Sequence, residues 1–176
     1  TDFVMASGSL VTGRVHEKSD FDVIVGVRSG RIFTNRFFAH LVLQLFGYRR
    51  KGTDHRQDAS NKICLNHFVT AESYKLDPPY NAYWDNLYHK LLPVMGREDK
   101  IAQFFEHNDW LNPPRLYERD THYLGQMNSL FSNVLEIILS GRLGNRLEGK
   151  LRHWQEKKNS ERPRKKSWLQ TKFCLQ

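Results

Sequence analysis

Two aspartates, Asp20 and Asp22, stand one residue apart at the head of an apolar run, Phe21 to Val27, that stops at Ser29 and Gly30. A short apolar run closed by turn residues reads as a buried strand. In a strand alternate side chains share a face, so Asp20 and Asp22 are expected to project together while Phe21 enters the core. Parallel carboxylates repel one another and raise each other's pKa unless a cation is shared between them, and hard oxygen ligands of this kind suit Mg²⁺ or Mn²⁺. A shared divalent metal is the natural resolution; taken alone, the pair also reads as two surface acids at a solvated strand end.

A second feature lies just upstream. The apolar run Phe3 to Ala6 stops at Ser7, Gly8 and Ser9, and ten residues after Ser9 come Ser19, Asp20, Phe21 and Asp22. Glycine lets the backbone approach a bulky anion with no Cβ in the way, and Ser9 adds a hydroxyl and an N–H donor at the start of a short helical turn. A phosphate cradle beside two metal-holding acids is the arrangement for in-line attack on a phosphoryl group, with two metals about 3.5 to 4 Å apart.

The stretch Leu10 to Ser19 reads as a helical turn and an irregular loop. Between Arg31 and Phe46 the apolar residues Ile32, Phe37, Phe38, Leu41, Val42, Leu45 and Phe46 recur at steps of three and four, which predicts a helix closed by Gly47. Ile63 to Val69 reads as a buried strand. After Asp77, Pro78 and Pro79 the pattern turns helical: Ala82 to Leu92, Glu98 to Leu111, and a long segment from His122 onward, with Gly141, Gly144 and Gly149 marking a kink or a close contact. Lys150 to Lys172 is strongly basic, and the run Arg162 to Lys166 within it reads as a loop or frayed linker, after a glycine-studded helix from Ser140 to Trp154. The expected fold class is α/β, in its α+β form: residues 1–77 make a small mixed sheet with one covering helix, and 78–176 a helical half with a basic tail packed on it.

In their order and spacing, Gly8, Ser9, Ser19, Asp20, Phe21 and Asp22 resemble the glycine-serine and aspartate-x-aspartate signature of the polymerase β superfamily of nucleotidyltransferases, in particular its small stand-alone bacterial and archaeal members. The segments Lys62 to Phe68, Asn108 to Leu111 and Ser140 to Trp154 extend the likeness more loosely. The resemblance implies that Gly8 and Ser9 bind the β and γ phosphates of an NTP, ATP by default. It further implies that Asp20 and Asp22 are the catalytic metal ligands for Mg²⁺ or Mn²⁺, that Ser19 supports their geometry, and that Arg14 neutralises phosphate charge. The implied reaction moves a nucleoside monophosphate to a hydroxyl on a protein, RNA or small molecule and releases pyrophosphate.

That superfamily carries a third carboxylate on a later strand, expected here within Lys62 to Val69, which contains no acid. Asn66 is the polar residue best placed by register; it reads first as a buried amide, and an amide cannot take a proton. Asp54, Asp58 or Glu17 could substitute if their loops fold back. The alternative is a catalytically degenerate module that binds nucleotide or a partner without turnover. Cys64 and His67 fall on alternate faces of the strand, so no zinc pair is assigned. Tyr80, Tyr83, Trp84 and Tyr88 read as packing residues, and Arg49, Arg50, Lys51 and the run Arg162 to Lys166 as solvated charge.

Composition narrows the setting. A hydrophobic fraction of 39% fills a core, and two cysteines, Cys64 and Cys174, give no disulfide framework, so a reducing, cytoplasmic location is expected. The formal charge of +8 favours polyanionic partners. No apolar stretch approaches the roughly 20 residues needed to cross a bilayer, so no membrane partner is expected.

Overall fold

The structure, a computed structural model, describes residues 1–14, 16–50, 59–78, 81–88, 90–111, 122–126 and 137–161. Strand β1 (Phe3–Ser7) leads through a single-turn helix α1 (Ser9–Thr12) and a loop to β2 (Phe21–Gly26), and α2 (Ile32–Leu45) connects to β3 (Ile63–Val69). A 3₁₀ turn (Ala71–Ser73), α3 (Ala82–Tyr88), β4 (Leu92–Gly96), α4 (Glu98–Glu106) and α5 (Arg142–Ser160) complete the described elements. The sheet order is β3-β2-β1-β4, with β1 antiparallel to both neighbours and β2 parallel to β3. This is the expected small mixed sheet in an α+β fold.

Two apolar layers follow from strand alternation. Phe3 and Met5 of β1 and Ile24 of β2 point to one face, where Tyr74, Leu87, Tyr88, Leu91, Ile101 and Phe104 close a core beneath α3 and α4. Val4, Val23, Val25, Leu65 and Phe68 point to the other, against Ile32 and Ala39 of α2. Both faces of the sheet are thus covered, one by α2 and the other by helices from the second half of the chain. Asn108, fully buried, accepts the Leu76 N–H at 2.7 Å and donates to the Tyr74 and Phe104 carbonyls at 2.6 and 2.8 Å, tying the end of α4 to the chain before α3.

Several sequence expectations are corrected. The segment after the two prolines is not all helical: Leu92–Gly96 is a strand, and it pairs with β1 through Met5↔Pro93 and Val4↔Met95. β4 is an edge strand of the sheet, where proline is tolerated; the Val94 carbonyl accepts the Leu124 N–H at 2.8 Å and the Gly96 N–H donates to the Gly125 carbonyl at 2.9 Å. The helix expected to reach Leu111 stops at Glu106, residues 122–126 are not helical, and the glycine-studded helix expected over Ser140 to Trp154 runs on to Ser160 as α5. Phe21 stays 37% exposed instead of entering the core, because the cover of α2 does not extend to the first residue of β2. Pro113, Pro114, Met127 to Leu135 and the run Arg162 to Lys166 lie outside the described residues.

Helix α5 docks on α2 through specific polar contacts. The carboxylate of Glu148, 6% exposed, accepts the backbone N–H groups of Phe33 and Thr34 at 2.9 and 2.8 Å. These are first-turn donors of α2, which have no partner inside their own helix and which attract negative charge. Arg31 reaches the other way, to the Leu139 carbonyl at 2.7 Å and Asn145 at 2.6 Å. Gly144 lies against the Leu139 carbonyl so closely that a Cβ there would collide with it. Glu148→Ala is expected to destabilise the protein by about 2 kcal/mol, since two charge-assisted hydrogen bonds to buried donors are lost. Urea unfolding measures this, and an unchanged midpoint would show that α5 does not hold the start of α2.

Candidate functional site

The site forms where β1 ends and β2 begins. Ser7 is the register partner of Asp22, and the chain turns sharply at Gly8 (φ 68°, ψ −144°) into α1. A positive φ with this ψ is glycine territory. Space imposes the same choice, because a Cβ at position 8 would stand 2.5 Å from Oδ2 of Asp22. The glycine-serine turn and the second aspartate are therefore in contact, although Gly8 and Asp22 lie fourteen positions apart in sequence. The Gly8 N–H donates to the Leu87 carbonyl of α3 at 3.2 Å, so the glycine's own donor is spent. The donors at this turn are the Ser9 hydroxyl and the first N–H groups of α1, left over by the geometry of a helix start.

Asp20 and Asp22 lie on one face, as strand alternation requires, and each has acquired a partner. Arg50 donates from Nη1 to Oδ2 of Asp20 at 2.5 Å, with the two side chains only 16% and 12% exposed. Asn66 donates from Nδ2 to Oδ1 of Asp22 at 2.7 Å, and its Oδ1 accepts the Cys64 thiol at 3.0 Å. Cys64 is the register partner of Asp22 across the parallel β2–β3 pair. The ligand atoms of Asp20, Asp22 and Cys64 all lie within 4.8 Å of one another.

A bulge shapes this wall. The β2–β3 register runs Val23↔Leu65 and then Ile24↔His67, so Asn66 is an extra residue opposite no partner. The bulge turns the amide onto the aspartate face and rephases the strand behind it. It also corrects the expectation that Cys64 and His67 alternate: Cys64 pairs with Asp22 and His67 with Ile24, two residues of one face. His67 lies 3.2 Å through Nδ1 from the Tyr88 hydroxyl, in the core behind the site. The Trp84 and Tyr88 rings stack at 5.2 Å.

Electrostatics distinguish the two acids. Burial, with the negative charge of Asp20 beside it, pushes Asp22 up to about 6, against the opposing pull of the Asn66 hydrogen bond and Arg50. Burial and the charges of Asp22 and Asp20 push the Cys64 thiol up to about 12.

Other residues picked out in the sequence sit differently. The Ser19 hydroxyl accepts the His16 N–H at 3.0 Å and closes the loop before β2. Arg14 is exposed, with its backbone N–H on the Ser9 carbonyl. Glu17 is exposed and does not join the cluster. Asp54, Asp58, Lys51, Tyr80 and the side chain of Tyr83 lie outside the described residues. Arg50 and Cys64 were missed as site residues. Cys64 carried a usable signal, since it is two residues from Asn66 on one strand; Arg50 carried none, because only the pairing of its backbone N–H with the Ile63 carbonyl brings it here.

In comparisons with known proteins, no family model, curated protein or solved structure matches this chain.

Asp22 favours its neutral form in the folded state, so it costs stability as it ionises. Below pH 4 the carboxyl is protonated folded or unfolded and the cost is absent; it grows as pH rises from about 4 through about 6. Asp22→Asn keeps an acceptor for Asn66 and does not titrate. It is therefore expected to be more stable than the parent at pH 7.5, by on the order of 2 kcal/mol, and equal to it at pH 3.5. Urea unfolding at both pH values checks this, and a parent more stable than the variant at pH 7.5 would refute the direction.

Proposed function

We propose that the chain is a metal-dependent nucleotidyltransferase that moves a nucleoside monophosphate, AMP by default, from an NTP to a hydroxyl acceptor. The observation that carries the reading is the contact of the Asp22 carboxylate with the Gly8 backbone: a glycine-serine turn at the start of a helix and an acid able to hold a cation meet at one spot. The orientation of both carboxylates to one face, with the Asp22 pKa already raised by burial, supports it, since such a pair gains from a shared cation. Asp20 and Asp22 would hold Mg²⁺ or Mn²⁺, which when bound neutralises triphosphate charge and favours attack at the α-phosphorus. Ser9 and the first N–H groups of α1 bind phosphate oxygens, and Arg50, already beside Asp20, holds one of its oxygens in a fixed direction. The acceptor oxygen bonds to the α-phosphorus as its hydroxyl proton passes to bulk water, the bond from that phosphorus to the bridging oxygen breaks, and pyrophosphate leaves with the electron pair. A cytoplasmic setting supplies NTP, and the acceptor is a protein, an RNA or a small molecule. No described helix is long and apolar enough to cross a membrane.

A second reading has its own observation. The position where a third acid would act is taken by Asn66, which can donate to Asp22 but cannot accept the acceptor's proton. A nucleotide-binding or partner-binding module without turnover has this set of groups.

Incubation with α-labelled ATP, GTP, CTP or UTP and Mg²⁺ or Mn²⁺, in extract from the protein's own source, separates the two. Label is expected on a protein, RNA or small-molecule acceptor, with Asp20→Asn and Asp22→Asn each lowering transfer roughly 100-fold or more. Metal-dependent NTP binding with no label transferred would favour the binding module.

A further inference from the structure

The aspartate pair has a neighbour that hard-metal chemistry does not call for. Cys64 faces Asp22 directly across the parallel strands, and its Sγ lies within 4.8 Å of the ligand oxygens of both Asp20 and Asp22. Carboxylate oxygens at about 2.1 Å and a thiolate sulfur at about 2.3 Å from one tetrahedral ion stand about 3.6 Å apart, so small side-chain rotations close the set. Arg50 does not block this, because it occupies Oδ2 of Asp20 and a carboxylate has a second oxygen.

A separate observation points to a ligand at the same spot. Ser7 lies opposite Asp22 on β1, with its side chain on the face of Phe3 and Met5, which is also the face of Asp22. It is 0% exposed, and its hydroxyl has no hydrogen-bond partner among the described residues. A buried hydroxyl with no partner costs about 1 to 3 kcal/mol, so such groups are normally satisfied by something. A water on an ion held by Asp22 and Cys64 would supply that partner.

We propose that Asp20, Asp22 and Cys64 together form a site for a borderline, thiophilic divalent cation of the Zn²⁺ and Co²⁺ class, which binds there in preference to Mg²⁺. A mixed set of two oxygens and one sulfur selects such an ion, because thiolate is a poor ligand for Mg²⁺ and a good one for Zn²⁺ and Co²⁺. On ligation the S–H bond breaks, a sulfur–metal bond forms and the proton passes to bulk water; no electron is transferred. Asn66 loses the thiol as a donor and keeps its bond to Asp22. The inference rests on the reading of Asp20 and Asp22 as metal ligands, but it is independent of whether the bound ion serves transfer.

The test is a Co²⁺ titration of the chelator-stripped full chain, followed by absorption. Expected is a thiolate-to-cobalt charge-transfer band in the near ultraviolet that saturates at stoichiometric Co²⁺. Zn²⁺ should abolish the band, and a roughly 100-fold excess of Mg²⁺ should leave it in place. Cys64→Ser and Cys64→Asp should both remove the band, while Cys174→Ser, which alters the other cysteine, should retain it. Circular dichroism and a thermal melt show that each variant is folded, and Cys64→Asp should still bind Co²⁺, now displaceable by Mg²⁺. Absence of the band in the parent, its survival in Cys64→Ser, or its loss to Mg²⁺ at concentrations comparable to Co²⁺ would overturn the proposal. A band without nucleotide transfer would sustain this inference and defeat the proposed reaction, and Mg²⁺-driven transfer unchanged in Cys64→Ser, with no band, would do the reverse.

Discussion

Two carboxylates forced onto one face of a strand repel each other, and much of this end of the molecule answers that repulsion. Asp20 is held by Arg50, Asp22 by Asn66, and Asn66 in turn accepts the Cys64 thiol. The answer is incomplete: burial, with the charge of Asp20 beside it, still pushes Asp22 up to about 6.

The fold exists in the form that makes the repulsion possible. Three pieces of chain with no sequence proximity are brought to one strand end: the turn at Gly8, the head of β2 and the first residues of β3. Antiparallel pairing of β1 with β2 sets Ser7 against Asp22, and parallel pairing of β2 with β3 sets Cys64 against it from the other side. The core beneath α3 and α4 makes this arrangement rigid, with Met5 and Ile24 following the site residues along the same face. Helix α5, gripping α2 through Glu148 and Arg31, supports the opposite face.

What could be read in the sequence follows from the range of the interactions involved. Strands β1, β2 and β3 and helix α2 were legible because their apolar periods and closing glycines are local, and so was the shared face of Asp20 and Asp22, which alternation alone dictates. Strand β4 was not. Five residues containing Pro93, directly after a helix, have no period of their own and become a strand only through pairing with β1. The bulge at Asn66 was equally hidden, since it is a mismatch between two strands and belongs to neither. It decided the most, placing the amide on Asp22 and bringing His67 to the face of Cys64. Arg50 entered the site through a tertiary pairing that no spacing encodes, whereas Phe21 was misjudged by applying strand alternation beyond the reach of the covering helix.

The most direct measurement is an anomalous-scattering map from crystals grown with Mn²⁺ and an NTP analogue that cannot be cleaved between its α and β phosphates. Expected is a manganese peak within ligand distance of both Asp20 and Asp22, with the triphosphate against Gly8 and Ser9. Manganese or nucleotide bound elsewhere, with Arg50 and Asn66 still paired to the two aspartates, would contradict the assignment of this strand end as a cation and nucleotide site.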